Sequence, residues 1–462
     1  MAIFNYPLSI IHFHKPMRYL LIALLFVTVQ SMAQSARYDS LWSDPAIEAR
    51  IQQGIETHRK GDCTLTLVDK QGKPIRKATV DIRQTNHAFL FGANIFMLNG
   101  FPTAQENEKY ESFFTSMFNL ATIPFYWKTL EPEQGKPRYT ADSKPIYRRP
   151  PTDVALDFCR KHGITPRGHT LVWDEAMFAI PDWMPTDTSK MQPIIDRHIQ
   201  ELAQRYGETI KTWDVTNELL ISRYKVPMPP DYASKAFQAA QAYFPKSTRL
   251  FINENTPSSW QGYRREFTPY YLLIENLKLK GARIDGIGMQ FHLFEQPMFD
   301  NTMKGMALTP TELFRAMDLL GSFGVPLHIS EITFPTLPNN ETGLQQQAKM
   351  TRNFYRIWFS HPAVEAIIYW NTVDGTAVAG EDKWNGGLLN RDFSPKPAFT
   401  ALTNLINREW KTAFTTSLTD GKPITFRGFY GDYTVKVTVG KKTIEKTFTL
   451  AKGQSTTVQL DL

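Results

Sequence analysis

Two short runs end in glutamate, Thr212-Trp-Asp-Val-Thr-Asn-Glu218 and Leu327-His-Ile-Ser-Glu331. Two carboxyls facing each other across a cleft can break a glycosidic bond without metal or cofactor. One gives a proton to the leaving oxygen, and the other stabilises or attacks the anomeric carbon as it becomes cationic. If Leu327 and Ile329 face inward, two-residue alternation points Glu331 inward as well. Gln290 and His292 share one parity in Asp285–His292, and His169 and Trp173 share another in Thr165–Trp173. With Trp370 and Trp384 these residues offer hydrogen bonds for sugar hydroxyls and flat surfaces for sugar rings. Taken singly, each glutamate also fits a solvated strand end or an ion pair, His169 a core histidine, and each tryptophan a packing aromatic. Their joint placement is what points to a sugar site.

The elements that must position them are legible as a rhythm. From residue 89 onward, β-rich runs alternate with longer amphipathic stretches. The strand candidates are Phe89–Ile95, Leu120–Trp127, Thr165–Trp173, Ile210–Glu218, Arg249–Glu254, Asp285–His292, Pro326–Phe334 and Val364–Val373. Helical periodicity falls over Thr152–His162, Met191–Tyr206, Tyr232–Phe244, Tyr270–Lys280, Thr309–Phe323, Thr342–Ser360 and Pro397–Glu409. Eight such units predict an α/β fold, a (β/α)8 barrel over residues 89–411, with functional side chains at the C-terminal strand ends. The rival, a doubly wound open sheet, lacks a Gly-rich phosphate turn after the first strand. Residues 34–88 carry a predicted hairpin over Asp62–Gln84, turned at Gln71-Gly72. Residues 412–462 alternate with period two through Thr434–Val439, Thr447–Leu450 and Thr457–Leu460, which predicts a small antiparallel β module that the hairpin would complete.

Composition bounds the partners. At 462 residues, 42% hydrophobic and 13% aromatic, the chain has material for one large core and a small appendage, so disorder is excluded as its main state. The net charge of +7 is too small and too dispersed for a nucleic-acid binder. Two cysteines, Cys63 and Cys159, supply neither a disulfide framework nor a multi-cysteine metal site. Lys15 and Arg18 precede the apolar run Tyr19–Val29, and Ser31-Met-Ala33 follows as a small-x-small cleavage pattern. This reads as a secretory signal over residues 1–33, cut after Ala33, and the run is short for a membrane anchor.

Beyond these readings, the sequence resembles glycoside hydrolase family 10, the endo-1,4-β-xylanase family, over roughly residues 85–405. The likeness lies in Arg167-Gly-His-Thr-Leu-Val-Trp173, Trp213-Asp-Val-Thr-Asn-Glu218, Asp285-Gly-Ile-Gly-Met-Gln-Phe-His292 and His328-Ile-Ser-Glu331. Glu131-Pro-Glu-Gln-Gly135 and Leu388–Phe399 are similar to further landmarks, in the same order. The resemblance implies a retaining mechanism with Glu218 as acid/base and Glu331 as nucleophile. It also implies that Asn217 holds a sugar hydroxyl and that Gln290, His292 and His169 surround the scissile sugar, on a polysaccharide or oligosaccharide substrate.

Several positions depart from the family pattern. Its polar Glu-Asn-x-x-Lys set falls on Thr122, Ile123 and Tyr126, its histidine after Trp173 is Asp174, and its Asn-Asp-Tyr-Asn run is Asn253-Glu-Asn255-Thr256. The acid two residues beyond the nucleophile is Thr333, which leaves His292 without a carboxylate partner. Thr122, Ile123, Tyr126, Asp174 and Asn255 are therefore expected as altered walls of the cleft, favouring a non-xylan or substituted β-glycan, with an exo-like pocket as one form. A non-catalytic carbohydrate binder on the same scaffold is the rival from another class. A metal-dependent barrel hydrolase is weaker, since no His-x-His closes the first strand.

Overall fold

The computed structural model describes residues 36–453 and 456–461, so the secretory signal expected over residues 1–33 lies outside the described residues. Helix α1 (Pro45–Arg59) leads into β1 (Lys60–Val68) and β2 (Ala78–His87). Eight parallel strands follow: β3 (Leu90–Asn94), β4 (Leu120–Pro124), β5 (Thr165–Val172), β6 (Thr212–Asn217), β7 (Arg249–Glu254), β8 (Gly286–His292), β9 (Leu327–Thr333) and β10 (Val364–Tyr369). They pair in chain order, and β10 returns to β3 to close the barrel. The main covering helices are α2 (Ala104–Met117), α3 (Thr152–His162), α4 (Met191–Tyr206), α5 (Tyr232–Tyr243), α6 (Pro269–Leu279), α7 (Pro310–Gly321), α8 (Glu341–Ser360) and α9 (Pro397–Asn404). Most expected limits of the barrel strands and helices hold to within two residues. The exceptions are β4, which stops at Pro124 before the short helix Trp127–Leu130, β10, which stops at Tyr369, and α9, which gives way after Asn404 to a π-helical turn over Leu405–Glu409.

The helices form where sequence chemistry provides both a stripe and a start. In α4, Ile195, Ile199, Leu202 and Tyr206 recur on one face, and all are buried against the sheet. Helices α2 and α7 open with capping boxes, Thr103 with Glu106 and Thr309 with Glu312, which satisfy backbone N–H groups that no helical carbonyl can reach. No helix among the described residues is long and apolar enough to cross a membrane.

The expected hairpin is not a hairpin. The chain does turn at Gln71-Gly72, with Asp69 accepting from the backbone of Gln71 and Lys73. Strand β1, however, pairs with β12 (Ile424–Phe429) and β15 (Thr456–Asp461), while β2 pairs with β11 (Ala413–Leu418) and β13 (Gly431–Val439). β14 (Lys442–Leu450) extends the second sheet beyond β13. Cys63, Leu65 and Leu67 on β1 and Ala78, Val80 and Ile82 on β2 belong to one buried cluster. Stacking across a sandwich buries both apolar faces, which side-by-side pairing would leave uncovered, and the intervening segment is long enough to cross between sheets. The N- and C-terminal flanks thus share both sheets. One pairing, β1 with β15, is parallel rather than antiparallel.

Helix α1 lies against α8 at a close approach. A Cβ at Gly54 would sit 2.4 Å from the Ser360 carbonyl oxygen, so only glycine fits without moving backbone. Gly54→Ala is expected to destabilise the fold by about 1–3 kcal/mol, the usual range for overpacking, as read by denaturant unfolding.

Candidate active site

Glu331 reaches the cleft by a route that simple alternation does not foresee. On β9, Leu327 and Ile329 join the apolar cluster between sheet and helices, while His328 and Ser330 face the barrel interior. Glu331 should then point outward. The register between β8 and β9 slips at this point, so that Met289 pairs with Ile329 but Gln290 pairs with Glu331. This bulge turns Glu331 inward, re-aiming a side chain as bulges commonly do beside active sites. A second slip on β6, between Asp214 and Thr216, brings Asp214 and Asn217 to the same interior face.

Below Glu331 lies a chain of buried polar groups. The Arg167 guanidinium donates to both oxygens of Asp214, and His169 Nδ1 donates to Asp214 Oδ2 at 2.8 Å. Burial alone would raise the Asp214 carboxyl, but Arg167 and His169 outweigh it and hold the group below its usual range. With Nδ1 committed, His169 presents Nε2 to Glu331 Oε1 at 3.7 Å. Glu331 itself collects donors: Asn253 Nδ2 at 2.9 Å and Gln290 Nε2 at 3.1 Å on Oε1, and His292 Nε2 at 3.1 Å on Oε2. His292 thus has a carboxylate partner in Glu331 itself, while its other nitrogen, which faces position 333, meets no carboxylate. Its Nδ1 meets the Thr333 hydroxyl at 3.0 Å. Burial lowers the His292 pKa, so a neutral ring donating from Nε2 accepts at Nδ1 from Thr333.

Glu218 follows β6 in a left-handed conformation, φ 53°, which a non-glycine residue adopts at some cost and which turns it out of the strand. Its backbone is fixed on both sides, since its N–H donates to Asn253 O at 2.9 Å and Lys225 Nζ donates to its carbonyl at 2.7 Å. Burial and the charge of Glu331 raise its carboxyl to about 7. Glu331 is likewise raised to about 7 by burial, against the pull of His169 and Asn253. Two carboxyls held high in one cleft, one ringed by donors and the other not, suit a division of labour between an ionised and a protonated group. A larger hollow of about 750 Å³ at the opposite end of the barrel holds Asp318 and Glu365. Burial works against ionisation there too, yet His361 with Arg50 lowers Asp318, and His328 with Arg249 takes Glu365 down to about 2. Those carboxylates are ion-pair partners rather than a reactive pair.

The cleft around Glu218 and Glu331 encloses about 530 Å³, and Tyr126, Trp173, Asn217, Asn255, Gln290, His292, Trp370 and Trp384 all line it. Asn217 Oδ1 accepts from Asn253 at 2.8 Å, and its Nδ2 has no protein partner among the described residues. His169 stands behind the wall, its ring 5.5 Å from Tyr126 and 5.7 Å from Trp370. Two expectations need correction. Asp174 does not face the cleft; it pairs with Lys225, and through that lysine fixes the Glu218 carbonyl. Ile123 faces the covering helices, and Thr122, though on the interior face, is fully buried with an unpartnered hydroxyl. Asn255 lines the cleft but is largely committed, capping the short helix Thr256–Ser259 and donating to Glu254 at 2.9 Å.

Sequence reasoning passed over Asn253, the hub joining Asn217, Ser330 and Glu331. It also passed over Glu254, a third buried carboxyl raised to about 8 by burial, which accepts from Leu220 N–H. Both stand in the quoted run 253–256, and their place at the end of a barrel strand was the available signal.

The family model for glycosyl hydrolase family 10 matches residues 86–405. The chain belongs to this family. Relatives include the anti-sigma-I factor RsgI6 of Acetivibrio thermocellus, 28% identical over 90% of this chain and 49% of that protein. Endo-1,4-beta-xylanase 2 of Arabidopsis thaliana is 28% identical over 86% of this chain and 34% of its own length. Endo-1,4-beta-xylanase B of Thermotoga neapolitana is 25% identical over 68% and 88% respectively. The chain spans between 34% and 58% of the first four relatives. Xylanase 10B of Thermotoga petrophila, solved with xylobiose, shares the fold with a TM-score of 0.56 at 22% identity, covering 70% of this chain and 95% of that one.

The raised carboxyls have a consequence for stability. A carboxyl that keeps its proton in the folded state up to about 7, but loses it near the ordinary value when unfolded, contributes stability below the unfolded pKa that is lost as pH rises through the folded one. Glu218→Gln removes one such group. Its melting temperature is expected to exceed that of the wild type by a larger margin at pH 8 than at pH 5.

Proposed function

We propose that the protein is a secreted, retaining β-glycoside hydrolase acting on a xylan-like β-linked polysaccharide or its oligosaccharides. Glu331 attacks the anomeric carbon while Glu218 delivers its proton to the departing oxygen. The glycosyl ester then yields to water as Glu218 takes a proton back, so both groups finish as they began. The observation that carries this reading is the unequal pair. Both carboxyls are raised to about 7 in one cleft, yet Asn253, Gln290 and His292 converge on Glu331 and favour its ionised form. Once Glu331 is ionised, its charge works to keep Glu218 protonated. Asn217 Nδ2 supplies a donor for a sugar hydroxyl, and Trp370 and Trp384 supply stacking faces. Several relatives are endo-1,4-beta-xylanases by name, which makes xylan the reference substrate. Export through residues 1–33 is part of the same proposal.

One relative is named as an anti-sigma factor, which favours a second reading in which this barrel binds glycan without cleaving it. A pure binder has no use for a strained, protonated carboxyl opposite an ionised one, so the catalytic reading is preferred. Release of reducing sugar from a panel of β-glycans separates the two.

Glu331→Gln is expected to abolish turnover, a loss of at least about 10⁴-fold in kcat, while leaving glycan affinity largely intact, as read by steady-state kinetics beside calorimetry. Glu218→Ala should lose about 10²–10⁴-fold on natural linkages but far less on aryl glycosides whose leaving group needs no proton. The carboxyl separation should be about 5–5.5 Å, and the first product should retain the β configuration by NMR.

Of the departures from the family's polar set, only Tyr126 reaches the cleft, and it replaces a flexible cation with a broad ring. Plain linear xylo-oligosaccharides are therefore expected to be poorer substrates, by kcat/KM, than a hexose-based or substituted β-oligosaccharide of equal length.

A further inference from the structure

The loop that follows Glu131 brings two adjacent arginines, Arg148 and Arg149, to the wall of the cleft in different surroundings. Arg148, 3% exposed and left-handed at φ 59°, holds loops together through both its Nη groups, while its Nε is buried without a partner. Its Nη1 donates to the Thr376 carbonyl and its Nη2 to Asn371 Oδ1 at 2.8 Å, and Asn371 in turn donates to Glu381. Glu381, a carboxylate of the cleft, is thereby tied, through Asn371, to Arg148.

Arg149 has no such partner. It lines the cleft at only 8% exposure, and among the described residues the one hydrogen bond its guanidinium makes to protein runs from Nη1 to the Arg148 carbonyl at 2.9 Å. Its Nε is buried without a partner, and among the described residues no carboxylate lies within ion-pair distance of its guanidinium. The guanidinium instead lies 4.2 Å from the centre of the Tyr126 ring and 5.1 Å from that of Phe96. Burial lowers its pKa to about 10, with Arg148 and Arg138 as neighbouring like charges, which still leaves it cationic under any assay condition.

A buried, charged guanidinium without a counter-ion is costly, and aromatic faces offset only part of that cost. Its planar fork matches the spacing of two oxygens on one carboxylate or sulfate group. Contact with Tyr126, itself 5.5 Å from His169, sets Arg149 one ring away from the side chains that flank Glu331. We propose that Arg149 recognises an oxyanion carried by the substrate, a uronic carboxylate or a sulfate ester on a sugar lying against Tyr126. The inference rests on the glycan-hydrolase reading and specifies the substrate class for that site.

The test uses full-length Glu331→Gln protein, so that ligands are bound and not consumed. Calorimetry at low ionic strength compares a neutral xylo-oligosaccharide, the same oligosaccharide bearing a glucuronic acid branch, and a sulfated β-oligosaccharide of equal length. At least one acidic ligand should bind about tenfold tighter or more than the neutral one, with the advantage shrinking as salt is added. A preference for the branched ligand alone identifies the carboxylate, and a preference for the sulfated ligand alone identifies the ester. Adding Arg149→Met should remove the preference, and Arg149→Lys, which keeps charge but loses the fork, should leave an intermediate one. Equal or tighter binding of the neutral ligand overturns the inference, as does a preference that survives Arg149→Met. Should Arg149→Met not fold, Arg149→Lys and the three-ligand comparison decide. Cleavage of the neutral oligosaccharide by wild-type protein is scored separately, so failure of the hydrolase reading is distinguishable from failure of this one.

Discussion

Asp214 is the charge around which the barrel interior is arranged. It sits in a dry environment where an unpaired carboxylate would be very unfavourable, and it persists because Arg167 grips both its oxygens while His169 donates from the other side. Arg167 also meets His328, which in turn meets Glu365, so a continuous polar chain runs from the lower rim of the barrel up to Glu331. Fixing His169 by its Nδ1 leaves Nε2 facing Glu331, so the histidine's orientation depends on Asp214. Truncating Asp214 would leave Arg167 buried without its counter-ion, and the loss would be felt in folding as well as chemistry.

Above that chain, the site is shaped by keeping charges apart from their usual partners. Carboxylates at the lower end of the barrel are neutralised by adjacent cations, whereas Glu218, Glu254 and Glu331 are buried largely among amides, imidazoles and one another. Lys225, drawn close to Glu218, is spent on its carbonyl and on Asp174. Raising Glu218 and Glu331 together sets up the protonated and ionised pair that the proposed mechanism needs, at the expense of stability at neutral and alkaline pH. The left-handed backbone at Glu218 belongs to the same pattern, with local strain held in place by Asn253 and Lys225.

Much of this was legible in the sequence, because hydrophobic period and strand-end chemistry are local. The eight strands and most helices follow from alternation and amphipathic spacing, and the paired glutamates stand where a barrel places its chemistry. What was not legible depends on register and on long-range pairing. Alternation counted from Leu327 reaches Glu331 for the wrong reason, since Leu327 and Ile329 face the helices and a bulge supplies the missing half-step. Nothing local distinguishes a hairpin over Asp62–Gln84 from two strands bound to opposite sheets, because both have the same alternation and the same turn. Asp174 and Ile123 were read as cleft walls from their place beside functional residues, yet side-chain direction sends one to Lys225 and the other to the helical layer. Arg149 carried no motif, and its isolation from carboxylates appears only once the loop is folded against Tyr126.

The central claim is that Glu331 forms a covalent bond to sugar during turnover. A 2-deoxy-2-fluoro β-glycoside with a good leaving group slows breakdown of such an intermediate, so the protein can be incubated with it, digested and examined by mass spectrometry. The account predicts one glycosyl adduct per molecule, carried on the peptide containing Glu331 and located on that residue by fragmentation. Labelling of Glu218 or Glu254 instead, or rapid hydrolysis of active substrates with no adduct and inverted product, would contradict it.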